Sequence, residues 1–348
     1  MKKATSDKIK ILIVADGSKE IGLGHIVRTL TLANELKNYY TDILFITKKN
    51  ESSISLIKDE DYPLILLNEK LNEKEELEEI VKIINTRKMD IVILDKLTIS
   101  KEYYDNIKLQ NTFLVSLDNI RDISINADLI INGGIYANEY FNTKQKNVLL
   151  GEKYFILRRQ FIGHKKRIIN ENITNILISM GGSDPLNITY PIVQELLKIK
   201  KEYLLNVIIG NAYLHESKLI ELSMRNKNLN LIKNTDQMAR IMKNSDVAIT
   251  SGGLTLYELA ATGTPAMIIQ QSDNQILPTK YFEKYGSVID LGNGRCLNKE
   301  RMLDKLSYLD RNKNIRLKMA EEGMTLIDGF GAIRSAEAIM NRYLMSIE

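Results

Sequence analysis

Short runs of Ile, Val and Leu, each followed by a longer amphipathic stretch, recur along the whole chain, and this alternation limits the fold more than any other feature. Strand-length apolar runs separated by helix-length segments build βα units, and successive βα units give a mainly parallel sheet. In the first half, strands are predicted at Lys10–Ala15, Asp42–Thr47, Pro63–Leu67, Asp90–Asp95, Thr112–Leu117 and Asp128–Asn132, with helices at His25–Lys37, Glu73–Thr86 and Lys101–Leu109. These runs are too uniformly apolar to alternate, as expected of strands covered on both faces. A polar stretch, Gly163–Thr174, then breaks the pattern with His164-Lys165-Lys166-Arg167 and Asn170-Glu171-Asn172, and reads as a linker. Beyond it the alternation restarts, with strands predicted at Asn175–Met180, Leu204–Ile209, Leu229–Ile232, Asp246–Thr250, Pro265–Gln270 and Ser287–Leu291. The tail from Gly331 to Glu348 reads as a helix, with apolar positions at Ile333, Ala336, Ile339, Met340, Tyr343 and Leu344.

At 348 residues the chain has room for two α/β domains. They are placed at 1–165 and 170–348, with the last helix a candidate to pack back on the first domain. Lys and Arg number 48 against 44 Asp and Glu, so the net charge is only +4, and no basic stripe stands out. That argues against a nucleic-acid partner. No run approaches the ~18 apolar residues of a spanning helix, and Met1-Lys2-Lys3-Ala4-Thr5-Ser6 leads into a strand without a signal-like segment. The expectation is a cytoplasmic protein without membrane insertion. Cys296 is the single cysteine, which excludes an internal disulfide and a cysteine-built metal site. The sequence leaves the oligomeric state open.

The loops after the strands carry the chemistry. Val14-Ala15-Asp16-Gly17-Ser18 ends the first strand, and Gly22-Leu23-Gly24-His25 opens a helix. The glycines allow a tight turn and close approach to a ligand. His25 in the first helical turn faces the positive end of the dipole, which favours neutral imidazole, a form able to take a proton from water or a hydroxyl. A purely structural place at the helix start is the alternative, and the residues alone leave both open. Only Gly22 and Gly24 are present, so the dinucleotide fingerprint is incomplete; no phosphate-loop Lys-Ser/Thr signature occurs either.

In the second half, Met180-Gly181-Gly182-Ser183-Asp184-Pro185-Leu186-Asn187 follows a strand and suits either anion or hydroxyl binding or a helix N-cap. Ser251-Gly252-Gly253 then closes a strand and opens the helix bearing Glu258. Bare amides at such a helix start can receive a diphosphate, and a carboxylate one to two turns in can accept both hydroxyls of a ribose. Asp273-Asn274-Gln275 follows the next strand, where amide and carboxylate groups can bind sugar hydroxyls. Asp59-Glu60-Asp61 has metal-ligand chemistry but precedes Tyr62-Pro63, and is read as an exposed turn; His164 and His215 are read as surface residues.

Taken in order, these motifs resemble nucleotide-sugar enzymes of GT-B architecture, two Rossmann-like domains with a central cleft. More closely, the chain resembles the UDP-2,4-diacetamido-2,4,6-trideoxy-β-L-altropyranose hydrolases of pseudaminic acid biosynthesis and their spore-coat polysaccharide relatives. The resemblance rests on Ala15-Asp16-Gly17-Ser18, Ile21-Gly22-Leu23-Gly24-His25 through Arg28, Met180-Gly181-Gly182-Ser183-Asp184, Ser251-Gly252-Gly253 through Glu258-Leu259-Ala260, and Asp273-Asn274-Gln275. Two positions depart from the family pattern: Val14 stands where an Arg is usual, and the fourth strand ends in Asp95-Lys96-Leu97 without the usual aromatic. The resemblance implies metal-independent, inverting hydrolysis of a UDP-linked amino-deoxy sugar with no cofactor. It implies His25 as the base acting on water and Glu258 as the ribose ligand. Asn274 would orient the sugar, and amides around Gly252-Gly253 would receive the departing diphosphate. Asp16, Gly24, Arg28, Gly182, Ser183, Asp184, Ser251, Asp273 and Gln275 complete the implied substrate-binding set. A glycosyltransferase using the same UDP-sugar donor is the second expectation, and a non-catalytic sugar-nucleotide binding module the third.

Overall fold

The computed structural model describes residues 7–17, 23–96, 99–117, 125–141, 144–164, 166–210, 212–233 and 235–348. Ser18, Ile21, Gly22, Leu97, Lys165 and the segment Met1–Ser6, singled out above, lie outside the described residues. The first half runs β1 (Ile9–Ala15), α1 (Gly24–Leu36), β2 (Thr41–Lys48), α2 (Glu51–Asp59), β3 (Leu64–Leu67), α3 (Glu73–Arg87), β4 (Ile91–Asp95), α4 (Lys101–Lys108), β5 (Phe113–Leu117), β6 (Leu129–Asn132), α5 (Ala137–Phe141) and β7 (Val148–Leu150). The second half runs β8 (Asn175–Ser179), α6 (Thr189–Leu197), β9 (Leu204–Ile209), α7 (Glu216–Arg225), β10 (Leu229–Lys233), α8 (Met238–Lys243), β11 (Val247–Thr250) and α9 (Leu254–Ala261). It ends with β12 (Ala266–Gln270), α10 (Ile276–Lys284), β13 (Val288–Asn293), α11 (Lys299–Arg311), α12 (Lys313–Leu326) and α13 (Gly331–Ile347).

Two compact units result. The first is Met1–Arg158 with Phe330–Glu348, and the second is Arg159–Gly329. Among the described residues the first unit holds a seven-stranded sheet, order β3-β2-β1-β4-β5-β6-β7, and the second a six-stranded sheet, order β10-β9-β8-β11-β12-β13. Every strand pair is parallel. In each sheet the order reverses direction once, between β1 and β4 and between β8 and β11. Loops at the carboxyl ends of strands on either side of such a reversal part to opposite faces and leave a crevice, where open α/β sheets place their ligands.

Strand periodicity sorts the first core. Ile11, Ile13 and Ala15 pack with Ile26, Leu30 and Ala33 of α1 and with Ala336, Ile339 and Met340 of α13. Leu12 and Val14 face the other way, toward Ile80 and Ile84 of α3 and Tyr103 and Ile107 of α4. Each large apolar side chain buried this way contributes about 1.5–3 kcal/mol. The second unit buries Ile176 and Ile178 of β8 against Ile192 and Leu196 of α6 and Met302 and Leu306 of α11. Side-chain caps fix several helix starts: Asn72 and Glu75 form a reciprocal capping box on α3, and Ser100 and Asn298 cap α4 and α11.

The boundary between units falls at Arg158/Arg159, ahead of the polar stretch 163–174. That stretch is stapled into the second unit instead of standing free. The buried Arg167 guanidinium donates to the carbonyls of Met242 and Thr262 (both 3.3 Å), to Thr264 Oγ1 (2.7 Å) and to the Ser245 carbonyl. The fully buried Arg316 donates to the carbonyls of Asn170 (2.6 Å) and Glu171 (2.9 Å). A basic, polar sequence thus looks like solvent-exposed linker while its arginine is core. Among the described residues of the first half, three short elements beyond the sequence expectation appear, α2, α5 and β7, and in the second half α11 and α12 fill the stretch between β13 and the tail helix, where no element was expected.

Candidate active site

At the reversal point of the first sheet, Ala15 pairs with Asp95, so the ends of β1 and β4 lie side by side. The pleat then assigns faces. Ile91 and Ile93 belong to the core under α1, and Asp95, two residues on, continues that parity toward α1. Asp95 is fully buried and accepts from three donors: His25 Nδ1 (2.6 Å) and Arg28 Nη2 (2.5 Å) on Oδ1, and Arg28 Nε (2.5 Å) on Oδ2. Burial is the strongest influence on this carboxyl and works against its charge, but Arg28 and His25 outweigh it and hold the pKa below the ordinary Asp range.

An ionised Asp95 fixes the tautomer of the neutral ring. A carboxylate can only accept, so the 2.6 Å contact needs a proton on Nδ1; Arg28 Nη2, 3.0 Å from the same nitrogen, can only donate and makes no competing bond. Nε2 is therefore left with its lone pair. His25 is the second residue of α1, whose N-cap, Leu23, offers no side-chain cap, and its side chain stays 16% exposed, enough to reach an incoming molecule. Asp95 and the buried side of Arg28 hold the imidazole as a preoriented proton acceptor.

The opposite parity builds a second polar cluster. Lys96 Nζ lies between Asp16 Oδ2 (2.6 Å) and Glu76 Oε1 (2.5 Å); Glu76 also accepts from Tyr103 Oη (2.9 Å) and pairs with Lys48 (3.1 Å). Burial again works against both charges, yet the partners win: Lys96 is raised, chiefly by Asp16 and Glu76, and Glu76 is lowered, chiefly by Lys96. Asp16, 20% exposed, is the member of this cluster nearest solvent after Lys48. Its carboxylate is thus held by an ammonium, which the sequence did not indicate.

At the reversal point of the second sheet the loops after β8, β11 and β12 meet. Gly181 lies close to Ser251, with room for only a normal contact to its Oγ. Ser251 is buried, and its amide donates to the Ser179 carbonyl at 3.4 Å. Gly182 is exposed and its carbonyl accepts from the Ala212 amide (3.1 Å), while Ser183 beside it is half-buried. Asp184 is buried at φ +42°, and its two oxygens accept from the amides of Ile188 (3.0 Å) and Thr189 (2.8 Å) at the start of α6. Helix capping occupies that carboxylate. Gly253 is the N-cap of α9 without a side-chain cap, so the amides of Gly253, Leu254 and Thr255 precede the first-turn bond from Leu256 N to the Gly253 carbonyl (3.1 Å). Glu258 is the fifth residue of α9 and half-buried.

The Gly252 amide, expected to meet the ligand, is used internally: it donates to Gln275 Oε1 (3.1 Å), which also accepts from the Gln271 amide (3.0 Å). Asp273 and Asn274 are exposed, with Ser272 Oγ donating to Asn274 Oδ1 (2.6 Å). Asp59, Glu60 and Asp61 are exposed at the end of α2, and among the described residues no three His, Cys, Asp or Glu groups are placed to hold a metal ion. His215 is exposed, whereas His164 is half-buried with Nε2 3.0 Å from the Gln160 carbonyl. Among the described residues no helix is long and apolar enough to cross a membrane.

Comparison with known proteins agrees with this architecture. Residues 175–329 match the Glycosyltransferase family 28 C-terminal domain. An uncharacterized protein of Methanocaldococcus jannaschii is 35% identical over 283 residues, 77% of this chain; the match spans 57% of that protein's length. The spore coat polysaccharide biosynthesis protein SpsG of Bacillus subtilis is 28% identical over 343 residues, 96% of this chain and 99% of its own. The UDP-2,4-diacetamido-2,4,6-trideoxy-beta-L-altropyranose hydrolase of Campylobacter jejuni is 26% identical over 254 residues, 72% of this chain and 87% of the enzyme. Among solved structures, MurG of Acinetobacter baumannii superposes with a TM-score of 0.71 at 14% identity, covering 96% and 99% of the two chains. HepE of Anabaena in complex with UDP gives 0.63 at 10% identity, covering 95% and 99%. At these identities the structural likeness speaks to fold alone. The chain is a two-domain protein of the GT-B fold class, homologous to SpsG and to the UDP-sugar hydrolase named for pseudaminic acid biosynthesis.

Proposed function

We propose that the chain acts on a UDP-linked sugar and hydrolyses it, without a metal, to free sugar and UDP. UDP-2,4-diacetamido-2,4,6-trideoxy-β-L-altrose or a close analogue is the proposed substrate, for nonulosonic acid or surface polysaccharide biosynthesis. The observation that carries the reading is the buried Asp95 holding His25 Nδ1–H at 2.6 Å. It leaves Nε2 free to take a proton. In the proposed step a water oxygen attacks the anomeric carbon from the face opposite the diphosphate, and its proton passes to His25 Nε2. The bond from the anomeric carbon to the diphosphate oxygen breaks, and UDP leaves with that electron pair. Asp95 stabilises the imidazolium as it forms. The amides of Gly253 and Leu254 at the uncapped start of α9 receive the negative charge building on the diphosphate. Glu258 takes the ribose hydroxyls and Asn274 the sugar.

The hydrolase homologue supports the choice of water as acceptor. HepE, solved with UDP, and the family 28 domain match support a UDP-sugar ligand and also favour the alternative, transfer of the sugar from the same donor to another acceptor. Incubation with the UDP-sugar in the presence of EDTA, followed by NMR, separates them. Hydrolysis predicts UDP and free sugar from wild type, slowed on the order of 100-fold or more in His25→Ala. UDP release unaffected by His25→Ala overturns the role given to His25, and no release without an added acceptor moves the assignment to a transferase.

A further inference from the structure

Gln275 stands in the motif that the sequence links to sugar binding, yet its side-chain carbonyl is turned inward. Oε1 accepts two backbone amides at once, Gly252 (3.1 Å) and Gln271 (3.0 Å). Its own backbone is pinned on both sides: the amide donates to the Ser272 carbonyl (3.1 Å) and the carbonyl accepts from Thr279 Oγ1 (2.7 Å). Gln271 Nε2 donates in turn to the Met180 carbonyl (2.7 Å), which ties the loop after β12 to the loop after β8. Three loops at the reversal point are thus knotted through two glutamines. Gly252 cannot be anything larger, since a Cβ there would stand 2.5 Å from Thr279 Oγ1 and 3.1 Å from Gln275 Cβ. The brace therefore presses directly on the residue preceding the N-cap of α9. One polar atom beside this brace is left unsatisfied. Gln271 Oε1 is buried without a hydrogen-bond partner among the described residues, in a residue only 7% exposed.

From this geometry we infer that Gln275 is a positioning residue for the nucleotide diphosphate: it sets the Ser251–Gly253 turn so that the first amides of α9 point at the anion, and it does so as a neutral acceptor. The inference rests on the reading of the α9 start as the diphosphate site. A carboxylate would accept the same two amides, and more strongly, but would place a like charge beside the diphosphate. Brace and charge can therefore be separated. Gln275→Glu keeps the turn and repels the anion, while Gln275→Ala releases the turn.

Calorimetric titration of the full chain with UDP and with uridine, beside amide hydrogen exchange at Gly252 and Gln271, tests this. For Gln275→Glu we expect wild-type protection of both amides and unchanged uridine affinity. UDP binding should be weakened on the order of tenfold, a loss that shrinks as salt is raised. For Gln275→Ala we expect faster exchange at both amides and weaker UDP binding. UDP affinity equal to wild type in Gln275→Ala overturns the inference and returns Gln275 to the sugar. If wild type binds no UDP, the proposed function falls, and the exchange data still decide the brace: unchanged protection in Gln275→Ala refutes it.

Discussion

Asp95→Asn removes one charge and one acceptor from the point where the first sheet meets its candidate base, and the structure fixes what that does. The carboxylate takes three donors on two oxygens, at 2.5 to 2.6 Å. Asn offers one acceptor oxygen and puts an NH2 where the other stood. If the oxygen stays with His25, the NH2 faces Arg28 Nε, donor against donor. If the amide turns over, the NH2 faces His25 Nδ1, the ring must carry its proton on Nε2, and the acceptor is gone. Arg28 keeps one of its two bonds in either arrangement, from Nη2 in the first and from Nε in the second, and in neither does a carboxylate stabilise the imidazolium as it forms. The activity lost is then that of a general base, roughly 10²- to 10⁴-fold in kcat. Stability falls by about 2–4 kcal/mol, between one charge-assisted hydrogen bond and a fully broken buried pair. UDP release at saturating substrate reads the first, chemical denaturation the second, and UDP titration controls for the second unit, whose affinity should not move. A folded Asp95→Asn enzyme with kcat within about threefold of wild type would refute the tautomer argument.

Glu258→Gln should weaken UDP binding by roughly 10- to 100-fold while uracil-free sugar phosphates show no change, the loss expected of a charged acceptor on a diol; equal UDP affinity by titration would remove Glu258 from the site. Arg167→Met should lower the stability of the second unit by about 3 kcal/mol, because four acceptors, the three carbonyls and Thr264 Oγ1, lose their buried donor, and thermal unfolding monitored on residues 159–329 measures it. Acid should destabilise the fold in a defined sense. Asp95, Glu76 and Asp246 all have lowered native pKa values, so the stability they confer is fully present above the ordinary carboxylate pKa and drains away as pH falls through the lowered native ones. Chemical denaturation between about pH 6 and 2 should show that decline, and Asp246→Asn should reduce its slope in the second unit.

The sequence made these strands readable because the first sheet buries runs such as Ile11–Ala15 and Ile91–Asp95 on two faces, which leaves an unbroken apolar signature. α2 escaped because only Ser53 and Ile57 of its nine residues are buried, too weak a stripe to see, although Asn50 caps it. His25 was legible from the glycines beside it. Its partner Asp95 was not, since 70 residues separate them and only the strand order β1-β4 makes them neighbours. One signal was available: a lone acid ending the apolar run Ile91-Val92-Ile93-Leu94, next to the first strand in a doubly wound sheet. The same holds for Lys96, which drew attention only as the neighbour of the missing aromatic and is a buried tie between Asp16 and Glu76. Gln275 was read toward a ligand, and the loop holding Asp184 was left between ligand and helix cap, because residue type alone does not reveal which backbone amides a loop turns toward its own side chains.

The central claim is that water attacks the anomeric carbon, with His25 as its base, and the position of bond cleavage tests it most directly. Turnover of the UDP-sugar in ¹⁸O-labelled water, followed by ³¹P NMR, distinguishes the two bonds that water can break. Attack at the anomeric carbon predicts UDP free of label, with no isotope-shifted phosphorus signal, and a rate that collapses in His25→Ala. An ¹⁸O-shifted phosphorus resonance in the nucleotide product would place the attack on phosphorus and contradict the mechanism derived from the Asp95–His25 pair.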